Sequence, residues 1–150
     1  MMNAVSNAIP GAVPAAVPQR CVIVVDSELP VGRAANAAAV IALTVGQRHP
    51  GLVGLPLVDA SGYAHPGLIP VGIAVLAAPQ EALGSLRGKG LEAGCDVVGF
   101  PAEGQRTTDY QAFRAAVGQV PTQAMQYVGI ALVGDKKPVG KIVANLGLLK

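Results

Sequence analysis

The chain has 150 residues, and its 11 Lys and Arg against 9 Asp and Glu give a formal charge of +2. This length fits one domain with its own apolar core, so neither a disulfide framework nor a structural metal is required for folding. The small charge, the three Tyr, the two Phe and the absence of Trp disfavour broad nucleic-acid binding, because few aromatic rings can stack on bases.

The first nineteen residues form a Pro- and Ala-rich segment without charge. We expect residues 1–19 to be a flexible arm, because repeated Ala-Val-Pro steps cannot build a helix. The segment lacks the cationic start of a secretory signal, and no uncharged apolar run reaches the roughly eighteen residues of a membrane span. We therefore expect a cytoplasmic protein with no membrane contact, in which residues 20–150 form a single domain.

A buried strand followed directly by an Ala-rich helix opens this domain. Residues 21–25 are apolar and mostly β-branched, which predicts the strand. The helix predicted over residues 34–45 is apolar nearly all round, so we expect burial on more than one side and an end at Gly46. Such a corner presents the free N–H groups of a helix start, with Arg33 beside them, and therefore favours anions.

The rest of the domain alternates between strands and helices. Residues 57–63 predict a hairpin with a type I turn that begins at Asp59, and Pro66 and Pro70 confine it to a sheet edge. Further strands are predicted over residues 71–77, 96–100 and 127–133, and further helices over 80–93, 110–117 and 139–145. The pattern predicts an α/β fold, a three-layer α/β/α sandwich whose mixed sheet has about four main strands plus an edge hairpin.

Arg33 and Asn36 are three positions apart and share a face near the start of the first helix. With Gly32, they form a candidate ligand-binding site in which the guanidinium holds a phosphate or carboxylate and the carboxamide orients a carbonyl or water. The alternative is structural. In that case Arg33 pairs with Asp26 or Glu28 of the preceding loop, and Asn36 satisfies buried backbone groups.

Asp59 and His65 flank the hairpin turn and are candidate catalytic residues. A carboxylate that orients an imidazole makes a general base for hydrolysis. The alternative is that Asp59 bonds its own turn backbone and that His65 is a surface loop residue. We favour this alternative, because the sequence fixes no nucleophile nearby.

We predict that the two cysteines are core residues and that they take no part in metal binding or redox chemistry. Cys21 and Cys95 are far apart in sequence and each adjoins an apolar run, so we predict buried thiols and no disulfide. Two His and two Cys without ligand spacing predict no metal site. No cofactor is predicted either, because the glycines near Lys89 precede a strand, whereas a dinucleotide fingerprint follows one.

Four segments carry a resemblance to a known family: VDSELPVGRAANAAAV, VDASGYAHPG followed by IPVGIAVL, RTTDY, and YVGIALVGDKKPVGKIVANLGLL. They resemble the uncharacterised family catalogued as domain of unknown function two thousand, which is similar in fold to the type II peptidyl-tRNA hydrolases. The resemblance implies a three-layer α/β/α domain. Gly32 and Arg33 match the Gly-Lys pair of those hydrolases with Arg for Lys, while Ala37 and Val40 stand where their Gln and His belong.

The resemblance also implies that Arg106 and Thr107 lie near the site as binding residues, because their segment is nearest to the second hydrolase loop. Three hypotheses stay open. The first is binding of a small anionic or acyl ligand at the start of the first helix. The second is hydrolysis of peptidyl-tRNA or a related ester, with a tRNA end as partner and water activated by Asp59 or His65. The third is a homodimer closed by an apolar surface rich in Ala and Gly.

Overall fold

The computed structural model describes residues 17–150, which contain seven strands and four α-helices. The strands are β1 (Arg20–Asp26), β2 (Leu57–Val58), β3 (Ala64–His65), β4 (Ala74–Ala78), β5 (Asp96–Pro101), β6 (Tyr127–Gly134) and β7 (Gly147–Leu148). The helices are α1 (Val31–Arg48), α2 (Gln80–Glu92), α3 (Tyr110–Val117) and α4 (Lys136–Ile142). The predicted arm over residues 1–19 lies outside the described residues except for its last three.

Five strands form one mixed sheet in the order β5-β6-β1-β4-β7. β1 and β4 are parallel, while β6 runs antiparallel to both β1 and β5, and β7 runs antiparallel to β4. The sheet is therefore mixed because of β6 and β7. The placement of the hairpin at an edge of this sheet was wrong, since β2 and β3 pair only with each other in a separate two-stranded sheet. Pro56 directly precedes β2 and Pro66 directly follows β3, which limits each of these strands to two residues.

Helices pack on both faces of the sheet, as predicted. Side chains alternate along β1, so that Cys21, Ile23 and Val25 join the core cluster under α1, whereas Val22 and Val24 join the cluster under α2 and α4. The strand is buried on both faces, which explains its continuous apolar run. No helix in this part of the chain has the length and apolar character needed to cross a bilayer.

The helix α1 is buried on one side only, which corrects the prediction of burial on several sides. Its buried residues Ala34, Ala37, Ile41 and Val45 follow a single stripe, and Leu43 on the outer side is 79% exposed. Among residues 17–150, no further layer covers that side. The helix also continues past Gly46 to Arg48.

The remaining helices agree with the sequence except at the C-terminus. Asp109 caps α3 by accepting hydrogen bonds from the backbone N–H of Gln111 and Ala112. Gly94 has a φ of 80° just after α2, a conformation in which glycine ends helices at little cost. The last helix occupies Lys136–Ile142, three residues before the predicted start, and the short strand β7 that follows was not predicted.

Both cysteines are free and buried, as predicted. Desolvation by burial raises the pKa of the Cys21 thiol to about 11. Burial, and then the charge of Asp135, also raise the pKa of Cys95. Because the thiolate is the reactive species, both sulfurs act as inert core atoms at neutral pH.

Candidate functional site

The first predicted site lies where α1 begins, beyond the carboxyl end of β1. Gly32, Arg33 and Asn36 are all exposed there. Pro30 precedes the helix without a side-chain cap, and its carbonyl accepts a hydrogen bond from the N–H of Ala34 at 2.9 Å. Ligands of α/β sheets commonly bind at the carboxyl ends of parallel strands, which is the position of this corner.

The side chains of the loop before α1 do not hold Arg33. Asp26 is 7% exposed, and its Oδ1 accepts a hydrogen bond from the N–H of Glu28 at 2.9 Å. Among the described residues, neither Asp26 nor Glu28 forms an ion pair with Arg33. Asn36 is exposed and so is not needed for buried backbone groups.

A second loop lies against the start of α1. This loop is the 3₁₀ turn Ala102–Gln105. The Nε2 of Gln105 donates a hydrogen bond to the carbonyl of Arg33 at 3.1 Å. Arg106 follows the turn and is exposed, while Thr107 donates its hydroxyl to the carbonyl of Glu103 at 3.3 Å. The two loops that carry the predicted binding residues therefore adjoin each other.

Asp59 and His65 meet in the hairpin, where His65 Nε2 lies 2.9 Å from Asp59 Oδ2. Asp59 also accepts hydrogen bonds from the N–H groups of Ser61 and Tyr63 through Oδ1. The hydrogen bond to His65, and next the one from Tyr63, lower the pKa of Asp59. Asp59 therefore makes both kinds of contact considered for it: it binds the backbone of its own turn, and it contacts the imidazole of His65. Within the described chain, no hydrogen bond joins this pair to Arg33 or Arg106.

A cavity of about 460 Å³ opens between α1, β5 and α3. It is lined by residues from all three elements and the segments next to them: Val40, Ile41, Thr44, Val98, Gly99, Phe100, Pro101, Tyr110, Phe113, Arg114, Val117 and Gly118. Most of these side chains are apolar, and Thr44, Tyr110 and Arg114 supply the polar groups. The sequence analysis missed this cavity.

Aromatic rings and a glycine shape the wall of the cavity. The rings of Phe100 and Phe113 have centroids 6.1 Å apart, and Tyr110 meets Phe113 edge to face at 6.0 Å. A Cβ on Gly104 would lie 2.3 Å from Phe100 and 2.8 Å from Phe113, so only glycine lets the 3₁₀ turn approach these rings.

The cavity and the start of α1 lie along one flank of the same helix. At 100° per residue, Arg33, Asn36, Val40 and Thr44 fall within one stripe. Val40 and Thr44 line the cavity, and Arg33 lies about 10 Å further along at a rise of 1.5 Å per residue. Arg33 and Asn36 therefore extend the flank of α1 that borders the cavity, although they do not line the cavity.

A second cavity of about 550 Å³ lies on the opposite sheet face, between α2 and the segment before β6. Its lining includes Gln80, which donates a hydrogen bond to the carbonyl of Tyr127 at 3.1 Å. The guanidinium carbon of Arg87 lies 5.8 Å from the centre of the Tyr127 ring. Within residues 17–150, no three His, Cys, Asp or Glu side chains are grouped as metal ligands would be.

A charged cluster ties the end of α1 to the start of β5. Arg48 donates to both carboxylate oxygens of Asp96, from Nε to Oδ2 at 2.8 Å and from Nη2 to Oδ1 at 2.9 Å. His49 Nε2 lies 2.6 Å from the same Oδ2. The hydrogen bond from Arg48 lowers the pKa of Asp96, burial opposes the shift, and the contact with His49 adds to the lowering. The cluster lies at the end of β5 opposite to the 3₁₀ turn and serves to fix α1.

Because of this cluster, we expect the free energy of unfolding to depend on pH in the acid range. The pKa of Asp96 is lower in the folded than in the unfolded chain. The contribution of the ionised carboxylate to stability is therefore complete above the unfolded pKa of about 3.9, and it is lost as pH falls through the folded pKa. An Asp96→Asn variant should lose about 1 kcal/mol of unfolding free energy at neutral pH, which is the upper end for exposed ion pairs, because Arg48 is half exposed.

Urea unfolding of wild type and Asp96→Asn across the acid range measures the difference between their free energies of unfolding. This difference should shrink as pH falls below the unfolded pKa of the carboxyl group. A Glu92→Gln variant, which alters an exposed carboxylate on α2, is the control and should keep the wild-type pH profile. A difference between Asp96→Asn and wild type that stays constant with pH would contradict the linkage.

Comparisons with known proteins cover nearly all of this structure. A family described as protein of unknown function (DUF2000) matches residues 19–150. Among solved structures, the chain is similar to Atu0240, a protein of unknown function from Agrobacterium tumefaciens strain C58, with 25% identity and a TM-score of 0.78. That similarity covers 86% of this chain and 96% of the other. No curated protein matches the chain. The chain therefore belongs to the DUF2000 family of proteins of unknown function.

Proposed function

We propose that the protein binds a small ligand with an acyl body and an anionic head in the groove between α1 and α3. The supporting observation is the cavity of about 460 Å³, which has the size of small-molecule sites and their typical lining of apolar walls with a few polar groups. An acyl chain would bury its apolar surface against Ile41, Val98 and Phe113. The proposed function is binding of this ligand.

Cations along the groove favour an anionic head. Arg114 lines the cavity itself, and its guanidinium can grip a carboxylate or phosphate through two hydrogen bonds. Arg33 and Arg106 are exposed at the end of the groove where α1 begins, next to the free N–H groups of the helix start.

Calorimetric titration with decanoate, and with decanol as the matched uncharged probe, tests this proposal. We expect decanoate to bind and decanol to bind at least about tenfold more weakly, because a tenfold change corresponds to 1.4 kcal/mol, a plausible energy for one charged contact. Equal binding of both probes would remove the anionic head from the proposal. Binding of neither probe would remove the acyl ligand.

Two variants locate the ligand. Arg114→Ala should weaken decanoate toward the affinity of decanol, and Val40→Trp should abolish the binding of both by filling the cavity. Arg87→Ala, on the other sheet face, is the control and should bind like wild type. If Arg33→Ala weakens the binding of decanoate and Arg114→Ala does not, the anionic head lies at the start of α1 and the ligand occupies the groove along its length.

A second candidate is hydrolysis of peptidyl-tRNA or a related ester, on a fold we infer to be like that of the type II peptidyl-tRNA hydrolases. The hydrogen bond between Asp59 and His65 favours it, since the pair has the geometry of an oriented base. Its exposure speaks against it, because the side chains are 42% and 51% accessible and a base gains little in open water.

Turnover of a model peptidyl-tRNA by the pure protein tests the hydrolase. Activity that His65→Ala removes would support it. A rate equal to that of buffer would exclude this reaction, and unchanged activity in His65→Ala would exclude the pair as its base.

A further inference from the structure

The segment from residue 53 to residue 71, here called the hairpin segment, has one exposed face that is apolar. Val58 pairs with Ala64, and Pro56 and Pro66 lie on the same face because side chains alternate along a strand. All four residues are exposed, and Val58 is 66% exposed. An isolated two-stranded hairpin is marginal in water, so the hairpin gains stability from a cover over this face, here called the Val58 face.

The polar groups of the hairpin lie away from the Val58 face. His65 pairs with Leu57 on the opposite face, where its Nε2 lies 2.9 Å from Asp59 Oδ2. No Lys or Arg lies between residues 49 and 86. The Val58 face therefore suits a cover that is apolar and without charge.

The N-terminal side of the chain leaves the sheet beside the hairpin segment. β1 and β4 are parallel neighbours in which Val22 pairs with Ala74, so the residues before β1 and those before β4 emerge at the same end of the sheet. Val17 lies against the turn that precedes the hairpin segment, since a Cβ on Gly51 would lie 3.0 Å from Val17 Cγ2. The chain that precedes Val17 therefore starts next to the hairpin segment.

Val17 is the last apolar residue of a four-residue repeat. Residues 8–19 read AIPG, AVPA and AVPQ, in which Ile9, Val13 and Val17 each precede a proline. A residue before proline favours extended backbone, and residues four positions apart on an extended chain share one face. In that conformation, Ile9 and Val13 share the face through which Val17 contacts Gly51.

The covalent link favours this repeat over other neutral partners. Extended backbone rises about 3.4 Å per residue, so Val13 reaches about 14 Å and Ile9 about 27 Å from Val17. At the same rise, the hairpin is about 17 Å long from Gly54 to Asp59. A short link also gives an effective concentration in the millimolar range, which a separate apolar molecule reaches only when it is abundant.

We propose that residues 1–16 dock on the Val58 face, with Ile9 and Val13 against Val58 and Ala64. Neither surface has a charged side chain, so docking buries no charge. The proline of each repeat has no N–H to donate, so burial of side chains holds the segment and strand pairing does not. No residue of the hairpin segment lines the cavity between α1 and α3, so this docking is independent of the proposed ligand.

Hydrogen exchange of the full chain, measured by mass spectrometry over residues 57–65, tests the docking. The double variant Ile9→Asp/Val13→Asp should exchange about tenfold faster than wild type, which is the change for a cover in place about nine-tenths of the time. Ala8→Asp/Ala12→Asp is the matched control, because it places two charges one residue earlier on the other face, and it should exchange like wild type. Unchanged exchange in β1 and β6 shows that the fold is intact.

Limited proteolysis with elastase, which cleaves beside small apolar residues, tests the same contact from the hairpin side. Val58→Asp should speed cleavage within residues 1–16 about tenfold, because cleavage follows the population of the undocked segment. Leu43→Asp introduces the same charge at a side chain that is 79% exposed on α1, and it should leave the cleavage rate unchanged.

Three outcomes would overturn the proposal. Equal hairpin exchange in wild type and Ile9→Asp/Val13→Asp would show that these two side chains do not cover it. Equal acceleration by Ala8→Asp/Ala12→Asp would remove the assigned face of the repeat. Protection of the hairpin that is lost when the wild-type chain is diluted would assign the cover to a second copy, as in a homodimer.

Discussion

An Ile41→Ala variant should have a free energy of unfolding about 2–5 kcal/mol lower than that of wild type. Ile41 is 1% exposed and lies between α1 and the sheet. A Cβ on Gly129 of β6 would lie 2.9 Å from its Cδ1, which shows how closely the helix approaches the strand. Removing most of this side chain leaves a space that the rigid strands below cannot fill, so both burial and packing are lost.

Urea unfolding of the variant beside Leu43→Ala measures this effect. Leu43 lies two positions later on the same helix and is 79% exposed, so its truncation should change stability by no more than about 0.5 kcal/mol. The pair separates burial from any general effect of alanine on α1. Equal losses in the two variants would contradict the one-sided burial of this helix.

Two glycines of α2 should respond to alanine with opposite signs. Gly84 has open space around its Cβ position, so Gly84→Ala should raise the free energy of unfolding by about 0.8–1.0 kcal/mol through helix propensity alone. At Gly90, a Cβ would lie 2.5 Å from Leu132 Cδ2 and 3.0 Å from Val97 Cγ2. Because Leu132 is fully buried, Gly90→Ala should cost about 1–3 kcal/mol from overpacking.

Thermal and urea unfolding of the two single variants measures the two opposite changes in the free energy of unfolding. The double variant should show nearly additive changes, because the two glycines contact different neighbours. A gain in stability at Gly90 would mean that α2 can move away from β6 at little cost, against the close packing described above.

Hydrophobic periodicity was enough to predict every strand except β7 and the approximate positions of the helices. The continuous apolar run of β1 indicates a strand covered on both faces, and the structure confirms it. The number of buried sides of α1 could not be predicted from the sequence, because alanine occurs on both the buried and the exposed sides of helices. Gly46 did not end the helix, since the contacts of Arg48 and His49 with Asp96 hold the next turn in place.

The candidate site was predictable only in part. The corner between β1 and α1 follows from local sequence, and so does the contact between Asp59 and His65 across a short turn. The cavity does not, because its lining comes from residues between 40 and 118 that meet only in the folded sheet. The cluster at Asp96 was missed for the same reason, since 48 positions separate it from Arg48.

The position of β6 in the sheet has a consequence for how the protein is made. This strand separates β1 from β5, although it follows them both in the chain by many residues. A nascent polypeptide that has not yet reached Tyr127 leaves the inner edges of β1 and β5 without hydrogen-bond partners. Ordering of the domain on the ribosome must therefore wait until β6 has emerged, and such distant pairing makes acquisition of the native state slow.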